Sequence, residues 1–436
     1  MMRLSYPQSF HVMAKPAGSA CNLRCEYCFF LDKKSLYPGS KFRMGDDVHR
    51  EYIRQLLDAH QTTRVTVAWQ GGEPTLMGLD FYRRSLELQE RYRKPSTVIE
   101  NTFQTNGILL NDEWCSFFRK NNFLVGLSID GPQRLHDRYR RDARGNGSFD
   151  RVLKAARLLQ KHGVEFNILS TVNRKNMDRP LEVYRFFRDV LGARYIQFIP
   201  IVEREDADAI RTGGRIAGRS VSSTHWGSFL NSIFDEWVRS DVGATFVLNF
   251  DAVLAGWLGH AGTVCIFGPT CGLGVALEHN GDLYSCDHFV DTNHLLGNIL
   301  TTPMIELVSS EKQRRFGRDK ADTIPRQCRE CRYLFICNGE CPKNRLIETA
   351  EGEAGLNYLC EGYRAFFSHT EKPMKAMAGL MRMGRPASDV MRLTTGKKPF
   401  VHKSFPGVGR NDPCPCGARD AAGKRMKFKK CHGGER

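Results

Sequence analysis

The sequence lacks any long apolar run. At no point do about eighteen apolar residues follow one another, the length that a membrane-spanning helix requires. Its start, MMRLSYPQSFHVMAKP, also lacks an apolar segment followed by a small-residue cleavage site, so that neither a membrane span nor an export signal is expected. These two absences predict a cytoplasmic protein without membrane contact, in a compartment where disulfides are disfavoured.

The chain is rich in cysteine and in positive charge. It has 436 residues, of which 41% are hydrophobic and 26% charged, enough for two or three domains with ample core. Fifteen cysteines in a chain expected to be cytoplasmic favour metal or cluster ligation. The net charge is +16, and residues 366–436 hold sixteen Lys and Arg against five Asp and Glu. This tail is either a solvated basic end or a contact for nucleic acid, ribosomes or acidic partners.

Apolar runs alternate with amphipathic segments over about the first two hundred residues. Segments such as DDVHREYIRQLLDAH and FDRVLKAARLLQKHG have apolar residues at helical spacing. Repeated strand–helix alternation predicts a parallel sheet with right-handed crossovers, and six units form a partial, open barrel. The six predicted strands are FHVMAKP (10–16), VTVAWQGGEP (65–74), STVIENTFQTNG (96–107), FLVGLSIDG (123–131), VEFNILSTVN (164–173) and RYIQFIPIV (194–202).

Polar and glycine-rich residues lie at the carboxyl ends of these predicted strands. Cys21 follows the first strand, GGEP the second, QTNG the third and SIDG the fourth. Ligands of parallel barrels and open sheets bind at this edge. The pattern therefore predicts one site at one edge of the barrel.

Three cysteines follow the first strand in the order Cys21-x3-Cys25-x2-Cys28. Structural zinc normally takes four protein ligands, and no partner pair of cysteines lies nearby. Three cysteinates around a 4Fe–4S cluster leave one iron free for a small molecule. We favour the cluster over a zinc site or a chance grouping.

This motif resembles that of the radical S-adenosylmethionine (SAM) enzymes. Tyr27 precedes Cys28 as an aromatic residue does in that superfamily, and GGEP at 71–74 is similar to its second-strand motif, whose backbone receives the SAM amino group. The resemblance implies a partial (β/α)6 barrel, SAM chelated to the free iron, and reductive cleavage of SAM to a 5′-deoxyadenosyl radical.

A second group of eight cysteines lies between residues 265 and 360. Eight thiols suffice for two complete four-cysteine sites, and a pair of zinc ribbons is the simpler alternative. The series resembles the SPASM domain, which carries two auxiliary 4Fe–4S clusters, for three clusters in all. The resemblance assigns one cluster to Cys265, Cys271, Cys286 and Cys341, and the other to Cys328, Cys331, Cys337 and Cys360. Cys115 remains and is expected to be a buried helical residue.

Residues 8–367 resemble the anaerobic sulfatase-maturating enzymes. The matching strings include KPAGSACNLRCEYCFF, WQGGEPTLMGLDFY, FLVGLSIDGP, GDLYSCDHFV and CRECRYLFICNGECPKNR. The resemblance implies oxidation of a sulfatase cysteine or serine side chain to Cα-formylglycine. It also assigns Asp287, next to Cys286, as the acceptor of the substrate thiol or hydroxyl proton, although an isolated loop aspartate would ordinarily be a solvated residue.

The family pattern also assigns five residues to SAM binding: Tyr27, Gly72, Ser128, Arg140 and Val202. Gln70 and Asn106 are further pocket candidates. A turn or cap role is the alternative for each of these residues singly. Phe30 departs from the family, in which many members carry Tyr, so that any hydroxyl contact to the peptide is missing here.

Partners follow from the same resemblance. The expected substrate is an unfolded or nascent sulfatase polypeptide, and the expected electron donor is flavodoxin or ferredoxin. The alternative is another SPASM-type maturase that installs a thioether, crosslink or epimer in a ribosomal peptide. A ferredoxin-like electron carrier is disfavoured by the three-cysteine site, by GGEP and by the large barrel.

The string GRNDPCPCGARDAAGKRMKFKKCHGG near the end offers Cys414, Cys416, Cys431 and His432, a donor set suited to tetrahedral zinc. It resembles the SEC-C motif, with a gap that is longer by about the length of ARDAAG, and it predicts a module that docks on a protein or ribosome. The predicted domains are a barrel (1–225), a helical connector (226–264), a SPASM domain (265–367), a basic linker (368–404) and a zinc module (405–436).

Overall fold

The computed structural model describes residues 6–205, 216–260 and 262–395. The candidate zinc ligands Cys414, Cys416, Cys431 and His432 and the predicted zinc module lie outside this range, and so do residues 206–215 between the sixth barrel strand and the helix that follows it. Among the described residues, no helix is long and apolar enough to cross a membrane.

Ten strands form one sheet and two more form a separate hairpin. The strands are β1 (His11–Lys15), β2 (Arg64–Trp69), β3 (Val98–Thr105), β4 (Leu124–Ser128), β5 (Phe166–Val172), β6 (Tyr195–Pro200), β7 (Phe246–Val247), β8 (Gly274–Glu278), β9 (Asp282–Tyr284), β10 (Leu295–Asn298), β11 (Ile347–Glu348) and β12 (Ala354–Leu356). The sheet order is β10-β9-β8-β1-β2-β3-β4-β5-β6-β7, and β11 pairs with β12.

Helices connect the strands and cover the sheet. They are α1 (Asp46–Ala59), α2 (Leu79–Tyr92), α3 (Asp112–Lys120), α4 (Gln133–His136), α5 (Phe149–Lys161), α6 (Pro180–Arg185), α7 (Ser223–Ser240), α8 (Leu248–Trp257), α9 (Met304–Val308), α10 (Glu311–Asp322), α11 (Arg326–Arg329), α12 (Leu334–Cys337), α13 (Cys360–Arg382) and α14 (Val390–Thr395). A π-helical turn, Phe186–Val190, continues α6.

The six parallel strands of the predicted barrel are confirmed as β1 to β6, each paired in parallel with the next. Each lies within its predicted segment apart from Arg64, one residue before the second. Buried apolar side chains pack the helices against these strands. In α1, for example, the buried residues Val48, Tyr52, Ile53 and Leu56 recur at helical spacing. Cys115 is fully buried in α3, as predicted.

The sheet extends beyond the barrel on both sides. Strand β7 pairs in parallel with β6, while β8 pairs in parallel with β1 and is followed by antiparallel β9 and β10. Because Lys15 in β1 lies opposite Glu278 in β8, the strand that leads into the three-cysteine loop is backbone-paired with the cysteine-rich region. The two regions therefore share one sheet.

The first part of the predicted linker at 368–404 belongs to a long helix. Helix α13 runs without a break from Cys360 to Arg382 and packs against α7 and α8. Phe366, Phe367, Met374 and Met377 are buried on its inner face, which gives this segment enough apolar contact to remain helical through Pro373.

Candidate active site

The three-cysteine loop leaves β1 and lies at the carboxyl edge of the sheet. Cys21, Cys25 and Cys28 are all partly buried. Burial raises the pKa of Cys21 to about 12 and that of Cys25 to about 11, and the neighbouring thiols contribute to both shifts. The structure therefore brings the three predicted ligands together, in surroundings where thiolates need a cationic partner.

Glu73 of the GGEP motif connects this loop to the third strand. Its carboxylate is fully buried and accepts hydrogen bonds from the Thr75 and Thr105 hydroxyls at 2.7 and 2.8 Å and from the Asn106 N–H at 2.8 Å. The Asn106 side chain in turn donates to Asn22 Oδ1 at 2.7 Å and contacts Cys21 Sγ at 3.7 Å. Burial raises the pKa of Glu73 in spite of these donors.

Gly72 of the same motif lies against the cysteine loop. A Cβ at this position would lie 1.9 Å from the carbonyl oxygen of Ala20, so only glycine allows this approach. The Gly72 N–H donates to Gly18 O and the Glu73 N–H to Ala20 O, both at 2.8 Å. The backbone of GGEP thus fixes the entrance of the loop.

Asp130 of the SIDG motif holds two of the predicted SAM-binding residues. Tyr27 donates its hydroxyl proton to Asp130 Oδ2 at 2.5 Å, and Arg140 Nε donates to the same oxygen at 2.9 Å. The Thr171 N–H donates to Oδ1 at 2.9 Å. Burial opposes ionisation of Asp130, but the cationic Arg140 and the donors outweigh it and lower the pKa. This buried ion pair joins the cysteine loop to β4 and β5.

The other predicted SAM contacts lie at the same edge. Ser128 ends β4, and its Oγ accepts a hydrogen bond from Gln104 Nε2 at 2.9 Å. Val202 is buried just after β6 and follows Ile201, which packs with Tyr27 and Tyr139 in a small apolar cluster. These placements agree with one ligand site at the carboxyl edge of β1 to β6.

The first set of auxiliary cysteines comes together from three loops. Burial raises the pKa of Cys286 to about 12, and the nearby Cys265 and Cys271 add to the shift. Burial likewise raises the pKa of Cys341, with contributions from Cys286 and Cys271. Thiols that influence one another's pKa in this way lie within electrostatic range of one another.

The second set is formed by short helices. Cys328 lies in α11, Cys337 ends α12 and Cys360 begins α13. Burial raises the pKa of Cys360 to about 11, with further contributions from Cys328 and Cys331. Burial also raises the pKa of Cys337, and Cys360 and Cys328 contribute to that shift. The division of the eight thiols into two sets of four stays a prediction.

Asp287 lies next to Cys286 and faces the strand that leads into the three-cysteine loop. Lys15 Nζ makes a close ion pair with Asp287 Oδ1, and the same ammonium lies over the Phe30 ring, 4.7 Å from its centroid. Burial opposes ionisation of Asp287, but Lys15 and His288 outweigh it and lower the pKa. Phe29 contacts the His288 ring, and His288 Nδ1 is 3.6 Å from Cys341 Sγ. The two cysteine sites therefore adjoin through Phe29, Phe30 and Asp287.

The predicted donor sets consist of thiols, which are ligands of iron–sulfur clusters as well as of structural zinc. Within the described part of the chain, no three His, Cys, Asp or Glu side chains converge on one metal position. A single zinc ion holds each sulfur at about 2.3 Å, whereas a cluster spreads its ligands over several irons. Ser19 Oγ, Asn22 Nδ2, Ser170 Oγ and Thr171 Oγ1 are buried near the carboxyl edge without hydrogen-bond partners there, as expected where a polar ligand such as SAM binds.

A cavity of about 470 Å³ lies at the opposite, amino-terminal edge of β4 to β6. Phe123, Leu124, Tyr195 and Phe246 line it, and burial raises the pKa of its Asp251 to about 6. It holds none of the predicted site residues, so we do not assign the reaction to it.

Three site residues were not predicted: Lys15, Glu73 in its bridging role, and Asp130. Lys15 could have been noticed as a charged residue at the end of the apolar run FHVMAKP, where a strand is buried on both sides. Glu73 and Asp130 stand in motifs already selected, but their partners come from as far as 103 residues away and are visible only in the fold.

Comparisons with known proteins agree with this geometry. Residues 16–187 match the Radical SAM superfamily and residues 265–332 match the iron–sulfur cluster-binding domain SPASM. These domains imply 4Fe–4S clusters and SAM.

Relatives extend the match along the chain. A serine-type anaerobic sulfatase-maturating enzyme of Bacteroides thetaiotaomicron is 45% identical over 402 residues, covering 90% of this chain and 97% of the relative. A cysteine-type enzyme of Clostridium novyi is 33% identical over 363 residues, covering 83% and 95%. A solved structure, native anSMEcpe with bound AdoMet and Kp18Cys peptide, superposes with a TM-score of 0.76 at 31% identity, covering 85% of this chain and 99% of that one.

Proposed function

Because the chain belongs to the anaerobic sulfatase-maturating enzymes, radical SAM oxidoreductases that generate formylglycine, we propose that it oxidises a serine of a sulfatase polypeptide. The observation that carries the choice of serine is identity: 45% and 35% to serine-type relatives, against 33% to a cysteine-type relative. Cysteine is the second candidate, since the superposed neighbour holds a peptide named for cysteine.

Cys21, Cys25 and Cys28 would hold the SAM-binding cluster, and the two sets of four cysteines the auxiliary clusters. When bound, SAM and the clusters supply the radical that removes a hydrogen atom from the substrate Cβ and the sink for the remaining electron. The protein's own residues have three tasks: to hold SAM, to seat the peptide and to accept one proton.

Holding SAM falls to the carboxyl edge of the barrel. The backbone beside Gly72, the polar edge residue Ser128 and the guanidinium of Arg140 are the candidate contacts for its polar groups, with Val202 against the adenine. Tyr27 and Arg140 are both hydrogen-bonded to Asp130, which supports a fixed rather than a mobile pocket.

Accepting the proton falls to Asp287. Its side chain is 19% exposed, and its carboxylate forms a close ion pair with Lys15, which helps to lower the pKa although burial opposes ionisation. A carboxylate oxygen with free acceptor capacity, beside a cluster ligand, suits a general base for a substrate hydroxyl. One hydrogen atom, one proton and one electron leave the serine, and an aldehyde remains.

The donor of the reducing electron is proposed to be flavodoxin or ferredoxin. We further propose that Cys414, Cys416, Cys431 and His432 bind one zinc ion and that the basic end docks on a protein or ribosome. Deleting residues 405–436 should therefore leave SAM cleavage unchanged, and its loss would contradict this separation of roles.

A direct experiment tests the proposed substrate. The anaerobically reconstituted and reduced enzyme is incubated with SAM and with peptides containing Ser-x-Pro-x-Arg or Cys-x-Pro-x-Arg. We expect formylglycine from the serine peptide, with 5′-deoxyadenosine as co-product, measured by mass spectrometry and chromatography. Turnover of the cysteine peptide alone would reverse the assignment of serine, and SAM cleavage without formylglycine from either peptide would contradict sulfatase maturation.

A further inference from the structure

Lys15 is an unusual residue for the end of a barrel strand. Its side chain is only 2% exposed, although lysine is almost never buried without a compensating partner. Removing an ammonium from water costs several kcal/mol, which an ion pair must offset. The partner here is Asp287, the proposed proton acceptor.

The position of the ammonium is fixed from several sides. Strand β1 is paired with β2 on one side and with β8 on the other, and Lys15 itself lies opposite Glu278 of β8, which holds its backbone in place. A Cβ on Gly71 would lie 2.6 Å from Lys15 Cδ, so the absence of a side chain at Gly71 leaves the space that the lysine stem occupies. The Phe30 ring covers the ammonium at 4.7 Å. Phe30, where many family members carry Tyr, thus presents an aromatic face to a cation.

The ion pair leaves one feature of Asp287 open. Lys15 Nζ is paired with Oδ1, whereas a carboxylate offers about four lone-pair sites on its two oxygens. The ammonium therefore fixes the carboxylate and leaves it acceptor capacity for a further donor. A substrate hydroxyl that donates to Oδ1 would lie within two hydrogen-bond lengths of Nζ.

We propose that Lys15 is a positioning residue for the oxidation of the substrate side chain, acting by orienting the Asp287 carboxylate toward the substrate hydroxyl. In the step concerned, the substrate O–H bond breaks, its proton binds Asp287 Oδ1 and the negative charge moves to the substrate oxygen. The electron that then leaves is the one that the auxiliary clusters accept in the proposed function. Lys15 keeps its own proton throughout and faces one negative charge before and after the transfer.

This inference rests on the proposed role of Asp287, and it makes a specific prediction about coupling. Hydrogen abstraction does not require Lys15, whereas the proton transfer that follows does. Lys15→Met should therefore continue to cleave SAM but should make less formylglycine for each 5′-deoxyadenosine formed. We expect this ratio to fall by about 10- to 100-fold, the usual effect of a misplaced catalytic group.

The experiment compares wild type, Lys15→Met, Asp287→Asn and Lys161→Met. Lys161 is an exposed partner of Asp112, so its variant controls for the loss of one lysine charge. Cluster content by iron analysis and absorbance, KM for the serine peptide and the product ratio are measured for each. The expected result is normal cluster content and SAM cleavage in Lys15→Met, with a lowered ratio and a turnover number that falls more than KM rises.

A second variant tests the charge itself. Lys15→Ala leaves a cavity in which propylamine replaces the lost part of the side chain, and we expect propylamine to raise the product ratio while propanol does not. The inference is wrong if Lys15→Met retains the wild-type ratio, or if its ratio, SAM cleavage and cluster content fall together. It is also wrong if propanol restores the product ratio of Lys15→Ala as much as propylamine does.

Failure of the premise gives a different pattern. A wild-type enzyme that makes no formylglycine contradicts the proposed function, and an Asp287→Asn variant with the wild-type ratio contradicts the role of Asp287. The role of Lys15 alone is contradicted by one combination of results. The wild type makes formylglycine and Asp287→Asn has a lowered product ratio, but Lys15→Met keeps the wild-type ratio.

Discussion

The two cysteine regions are held in shape by different means. The three-cysteine loop of the barrel rests on protein hydrogen bonds: Glu73 joins it to β3, and Asp130 joins it to β4 and β5. Apart from Cys360 at the start of α13, the auxiliary cysteines lie in short helices, turns and loops, with a left-handed stretch at Asn338, Gly339 and Glu340. The comparison suggests that the first site is formed before its cluster binds, whereas the second region needs its clusters to stay folded.

Removal of the clusters should separate the two regions most clearly. Anaerobic chelation should lower amide protection across residues 326–346 of the auxiliary region by about a thousandfold or more, equivalent to about 4 kcal/mol, because only short helices and turns hold that segment. Protection in β1 to β6 should change far less. Hydrogen exchange read by mass spectrometry measures both in one sample.

An equal loss of amide protection in the barrel and in the auxiliary region would contradict the inference that only the auxiliary region needs its clusters to stay folded. The cluster-loaded enzyme is the control, since its two regions should be protected alike.

Asp130→Asn should be the most harmful change to the barrel site. It leaves the buried Arg140 without its carboxylate, and loss of one partner of a buried pair costs about 3–5 kcal/mol. Denaturant unfolding measures the stability, and SAM cleavage should be lost with it. In the auxiliary region the exchange rates should stay unchanged.

The exposed pair of Arg64 and Glu100 provides the control for this change. Both side chains are about half exposed or more, so Glu100→Gln should cost less than about 1 kcal/mol. Equal costs for the two variants would mean that the buried pair has no special part in holding the site.

Gly72→Ala should displace the cysteine loop by steric contact. The new Cβ would lie 1.9 Å from Ala20 O, and overpacking of this kind costs about 1–3 kcal/mol. SAM affinity, measured by equilibrium binding, should fall while the auxiliary region keeps its iron. Gly379→Ala in α13, with open space around it, is the matched control and should be neutral or slightly stabilising. An unchanged SAM affinity would show that the loop does not need this approach.

These differences also explain how far the sequence allowed prediction. The six barrel strands were predictable because each is an apolar run followed by polar or glycine-rich residues. Strands β7 to β10 have only two to five residues and were missed, since such short segments carry little periodicity. The cysteine sets could be grouped by resemblance, whereas the partners of Lys15 and Asp130 depend on which distant loops the fold brings together.

Low pH should destabilise the barrel through protonation of Asp130. This effect should be smaller than those of cluster removal, Asp130→Asn and Gly72→Ala. Its pKa in the folded protein is below the ordinary value, so its contribution to stability is present above the unfolded pKa of about 3.9 and is lost as pH falls through the folded value. Unfolding of the wild type below about pH 4 should be steeper than that of Asp130→Asn. Parallel acid-unfolding profiles of the wild type and Asp130→Asn would contradict this contribution of Asp130 to stability.

One measurement tests the central claim most directly: the fate of hydrogen from a serine peptide deuterated at Cβ. The cluster-loaded enzyme, SAM and a reductant are incubated with this peptide without oxygen, and both products are analysed by mass spectrometry. The account predicts deuterium in 5′-deoxyadenosine and one deuterium retained in formylglycine. Unlabelled 5′-deoxyadenosine, or labelled 5′-deoxyadenosine with a product other than formylglycine, would contradict it.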